Sequence, residues 1–94
     1  MSRLRKLLPA HLGAGDLRFA GFQGPVDYEI LGEPGSLRRG HLRLRGSLTA
    51  TPEVANDAFR AGEGELKLEG GAAFRITVLG HSTGSGVAYF EMRV

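Results

Sequence analysis

Glycine punctuates this chain more than any other residue. Fifteen of its 94 residues are glycine, more than twice ordinary usage, and they follow no G-X-Y period. Between them run short stretches in which apolar and polar residues alternate, the period of a half-buried strand. Val26, Tyr28 and Ile30 share one face of Val26–Ile30, and in His41–Arg45 the leucines point one way and the arginines the other. A chain built this way folds into many short strands joined by tight turns.

Strand patterns recur at Leu17–Ala20, Val26–Ile30, His41–Arg45, Glu65–Glu69, Ala73–Leu79 and Val87–Val94. One helix interrupts them, over residues 52–61. Thr51 suits its N-cap, Pro52 its first position and Glu53 its positive end, while Arg60 sits in the last turn and Gly62 just beyond it. The order βββ–α–βββ predicts a mainly β fold, a six-stranded antiparallel sandwich or partly open barrel. Residues 16–94 form one domain, as the size requires, and residues 1–15 a flexible tail, whose Leu4, Leu7 and Leu8 have helical spacing cut short by Pro9.

The expected core comprises Leu17, Phe19, Tyr28, Ile30, Leu42, Leu44, Phe59, Leu66, Leu68, Phe74, Ile76, Val78, Phe90 and Met92. Pleat parity orders the strands, because paired residues share a sheet face. A three-residue turn Glu69-Gly70-Gly71, with Gly71 left-handed, sets Leu66 opposite Phe74 and Glu65 opposite Arg75. Pairing Val78 with Ala88 then sets Arg75 opposite Glu91. In the first half, Tyr28 pairs with Leu44, and Phe19 with Tyr28 across a Phe22–Pro25 turn. Glu29 then lies between Arg18 and Arg43, and Asp27 faces Arg45.

Net charge is +2, unevenly spread. Residues 1–45 hold eight Arg/Lys against four Asp/Glu; residues 46–94 hold four against six. A basic half points to a phosphate-rich partner or to pairing between the halves. After the register, the cations without carboxylate neighbours are mainly Arg38 and Arg39, with Arg3, Arg5 and Lys6 of the tail. Arg38, Arg39 and nearby Arg43 are therefore the candidates for binding an anion. The aromatics do not support nucleic-acid stacking, since Phe19, Tyr28, Phe74 and Phe90 face the core and only Tyr89, with Phe22 in its turn, is left outside. The loop Gly80–Gly86 adds His81, Ser82, Thr83 and Ser85 as further anion-binding candidates. It lacks the G-K-[ST] of a P-loop, and a plain hairpin connection explains it as well.

Cysteine is absent, which excludes disulfides, thiolate-held metals and thiol nucleophiles and fits a reducing cytoplasm. No two histidines have metal-ligand spacing, so no metal or cofactor is expected. No G-x-S-x-G elbow or paired acid suggests catalysis. No apolar run is long enough to span a membrane. Small six-stranded barrels are the nearest formal analogues, including barrels that bind cyclic dinucleotides through an arginine pair ahead of the first strand. Here Arg38-Arg39 precede the third strand and no D-x-S-x-x-G follows, so that family is not assigned.

Gly40–Gly46 and Gly64–Gly70 share the form G-x-L-x-L-x-G, the first basic outside and the second mostly acidic. They read as two edge-capable strands of complementary charge. The functional expectation is a non-catalytic cytoplasmic binding or assembly module acting through protein–protein contacts, self-association among them. The alternative is a barrel that binds a nucleotide or nucleic acid through Arg38, Arg39 and Arg43.

Overall fold

The computed structural model describes residues 10–40 and 43–94. Six strands, β1 (Ala10–Phe19), β2 (Phe22–Leu31), β3 (Leu44–Thr49), β4 (Glu63–Lys67), β5 (Ala73–Ser82) and β6 (Val87–Arg93), form a closed antiparallel barrel in the order β1-β2-β3-β6-β5-β4. Closure resolves the choice left open between sandwich and barrel. A short 3-10 helix, Pro34–Arg39, joins β2 to β3, and α1 (Pro52–Ala61) joins β3 to β4.

Capping follows the residue types. The Thr51 side chain accepts from the Val54 amide at 3.2 Å, and Gly62 closes α1 with φ +85°. Glu33 accepts from the Gly35 amide at 3.2 Å, starting the 3-10 helix, which ends at left-handed Gly40. Antiparallel pairing puts β2's end, β3's start, β6's end and β5's start at one end of the barrel, which the 3-10 helix crosses. The α1 helix covers the other.

The β4–β5 turn has the expected register, with Leu66 opposite Phe74, Glu65 opposite Arg75, and Gly71 at φ +101°. Three other pairings keep the expected faces but slide along the strand. Val78 meets Phe90, so Arg75 faces Arg93 instead of Glu91, and Leu79 bulges out of the ladder. Tyr28 meets Leu48, so Glu29 faces Ser47 instead of Arg43, and Asp27 faces Thr49 instead of Arg45. Phe19 meets Phe22 across Ala20-Gly21, with Gly21 at φ +85°, so Arg18 faces Gln23. The tight glycine turn replaces the expected Phe22–Pro25 turn, and Pro25 lies inside β2 opposite Asp16.

The barrel interior holds Leu17, Tyr28, Ile30, Leu44, Leu66, Leu68, Phe74, Ile76, Val78, Phe90 and Met92, as expected, together with Val26, Leu37, Leu48, Ala55, Ala58 and Ala88. Phe19 is half-buried. Phe59 corrects the expectation: it is 42% exposed, because α1 turns Ala55 and Ala58 onto the barrel. Leu42 lies outside the described residues. β1 starts at Ala10, within the stretch read as a tail; residues 1–9 lie outside the described residues.

Closure also changes the edges. β3 and β4, which carry parts of the two G-x-L-x-L-x-G stretches, are paired on both sides, so neither is a free edge. β4 meets β1 only over Asp16–Arg18, while Ala10–Gly15 pair with β2 alone.

Candidate functional site

The outer face of β2, β3, β6 and β5 carries a depression of about 530 Å³. One row of cross-strand neighbours makes it: Glu29 opposite Ser47, Ser47 opposite Tyr89, and Tyr89 opposite Gly80. Ser47 and Gly80 are too small to fill the surface on either side of the Tyr89 ring. The bulge at Leu79 pushes a leucine out at one rim, and Leu31 stands at the other. Leu31, Leu79 and Tyr89 are each between 44% and 46% exposed. The Tyr89 hydroxyl lies 3.0 Å from that of Ser82, which fixes the phenol's direction.

Arg45 also lines the depression, and it shares Glu91 with Arg43. Arg43 reaches one carboxylate oxygen at 2.9 Å and Arg45 the other at 3.5 Å. A second hollow, between Arg18, Glu63, Glu65 and Arg75, holds the Arg18–Glu65 pair at 3.0 Å. This mixed lining pairs within itself.

The residues singled out in the sequence divide between two places. Arg38 and Arg39 end the 3-10 helix. The Arg38 guanidinium lies 5.0 Å over the Phe74 ring, a cation–π contact that closes the barrel end. Arg39 folds back toward Gly35. Arg43 leads into β3 at the same end. His81 and Ser82 belong to β5 at the opposite end, where His81 packs on Phe59 with ring centroids 5.3 Å apart. Ser85 donates to the Ser82 carbonyl at 3.0 Å and accepts from the Val87 amide at 3.2 Å. Thr83 is exposed in the same turn. The hydroxyls of Ser82 and Ser85 thus bond within the hairpin, and the structure does not bring this loop together with the arginines.

Sequence reasoning did not find the depression. Its signal was present in Ser47, Gly80 and the outward Tyr89, but only the true register sets them side by side. Among the described residues, no group of three or more His, Asp or Glu could hold a metal ion, and no helix is long and apolar enough to cross a membrane. No protein-family model, curated protein or solved structure matches this chain.

Proposed function

We propose that the protein is a non-catalytic binding or assembly module that recognises a partner protein through the outer face of β2, β3, β6 and β5. The depression rimmed by Leu31, Leu79 and Tyr89 carries this reading. Exposed apolar residues scattered singly need no explanation, but three around one hollow mark an interaction surface. Tyrosine is among the residues that dominate binding when a partner covers them, and a charged rim such as Glu29 and Arg45 sets orientation more than affinity. The cysteine-free composition supports a cytoplasmic setting.

Photo-crosslinking tests the surface. A benzoylphenylalanine replacing Tyr89, in extract of the source cells, gives an adduct of defined mass that disappears when Leu79→Asp is added. The same probe replacing Glu53 on α1 gives none. An identical adduct pattern from both positions, or no adduct from position 89, overturns the reading.

A further inference from the structure

The barrel end opposite α1 concentrates arginine. The 3-10 helix brings Arg38 and Arg39, the entry to β3 brings Arg43 and Arg45, and β5 and β6 bring Arg75 and Arg93. These come from both halves of the chain. The carboxylates at this end include Glu33, which caps the 3-10 helix, Glu91, which holds both Arg43 and Arg45, Glu69 in the β4–β5 turn beside Lys67, and Glu65 opposite Arg75.

Arg75 and Arg93 stand directly opposite one another on the outer face. Like charges so placed are destabilising in themselves. Among the described residues, neither has a carboxylate within ion-pair distance; Glu65, on Arg75's other side, is held by Arg18 at 3.0 Å. Arg43 stands one residue before β3, whose first pair is Leu44 with Met92, and Arg93 stands one residue past that Met92. Arg75 and Arg93 therefore lie side by side on β5 and β6, at the strand spacing of about 4.8 Å, at the end of the barrel where Arg43 leads into β3.

We infer that this end binds a linear phosphate polyanion, the sugar–phosphate backbone of a single-stranded nucleic acid. The cations suit the ligand: guanidinium forks match phosphate geometry through paired hydrogen bonds. A bound phosphate between Arg75 and Arg93 turns their repulsion into two attractions. Leu37, Leu44, Phe74 and Met92 are buried at this end, while Leu31, at the end of β2, and Val94, just past β6, are exposed. Interfaces with nucleic acid are positively charged, and here the arginines outnumber the carboxylates. The surface adjoins the Tyr89 depression, which Arg45 also lines, but Arg75 and Arg93 do not line it, so a test on these two arginines separates this inference from the other.

Fluorescence anisotropy with a labelled 15-nucleotide oligothymidylate and the full-length chain tests the proposal. Binding at low salt weakens steeply as salt rises, because each phosphate neutralised releases condensed counterions. The double variant Arg75→Ser/Arg93→Ser binds at least tenfold more weakly. Its slope of log affinity against log salt falls by about 0.7, the contribution of the one single-strand phosphate that the two arginines share. Thermal unfolding shows the variant as stable as the parent or more so, which separates lost binding from lost folding. Absence of binding at 50 mM salt overturns the proposal. So does an unchanged slope in the double variant, and so does equal competition by polyglutamate of matched charge, which would identify an acidic protein instead.

Discussion

Gly86 shows how a single missing side chain can fix a hairpin. It holds φ +79°, and a Cβ there would lie 2.3 Å from the Ala50 carbonyl oxygen. Its own carbonyl accepts from the Ala50 amide at 2.8 Å, tying the β5–β6 turn to the end of β3. Gly84 has a similar φ of +81° but open space where its Cβ would stand. Gly84→Ala thus carries only the conformational penalty, somewhat above 1 kcal/mol where φ is positive. Gly86→Ala adds a collision with backbone that cannot step aside, and is expected to cost at least about 1 kcal/mol more. Urea unfolding midpoints of the two variants check this; equal losses would refute it. Within the glycine cluster read in the sequence as a loop that could serve a ligand, the fold thus requires glycine at Gly86. Gly46 illustrates the same limit. In the sequence it brackets a strand; in the barrel it sits inside β3, where a Cβ would lie 2.8 Å from the Phe90 ring.

Among the elements, α1 was legible in its bounds and caps, though not in its whole buried face, since Phe59 is exposed. Thr51, Pro52, Glu53, Arg60 and Gly62 act through the first and last turns of the helix itself, so local chemistry suffices. Removing the cap with Thr51→Ala is expected to cost about 1 kcal/mol, while Thr51→Ser retains most of it. Chemical denaturation of the pair measures the difference, and indistinguishable variants would show that the 3.2 Å cap bond carries no weight. The strands were legible only in part. Alternation has period two, so it decides which face a residue takes and cannot decide position along the partner. All the misjudged pairings slide by an even number of residues: Val78 moves from Ala88 to Phe90, and Tyr28 from Leu44 to Leu48. The core survived these slips because parity survived. The charge ladders did not, because an ion pair depends on which residue is opposite. Position was legible at Glu69–Gly71, where parity excluded the two-residue turn, and hidden at Leu79, where a bulge adds a residue that alternation cannot register. Both proposed surfaces depend on that hidden part.

At the scale of the molecule, the barrel's six ladders are unequal. β3 and β6 share six residue pairs, Leu44–Thr49 with Met92–Val87. β1 and β4 share only three, Asp16–Arg18 with Lys67–Glu65, and this seam joins segments 47 residues apart. The Arg18–Glu65 pair across it is 62% and 46% exposed at the side chains and adds at most about 1 kcal/mol. What holds the seam is apolar. Leu17 and Leu66 face one another there with no exposed surface, and burying a leucine is worth about 1.5–3 kcal/mol. Beyond the seam, the outer edge of Ala10–Gly15 has no strand on it among the described residues. The barrel should therefore open in steps. Native-state hydrogen exchange is expected to rank amide protection as Ala10–Gly15 lowest, Leu17 and Leu66 intermediate, and Leu48 and Phe90 highest, the last exchanging only by global unfolding. If Leu17 and Leu66 also exchange only by global unfolding, the seam is no weaker than the β3–β6 ladder. The closed barrel would then be a single cooperative unit despite its short sixth ladder.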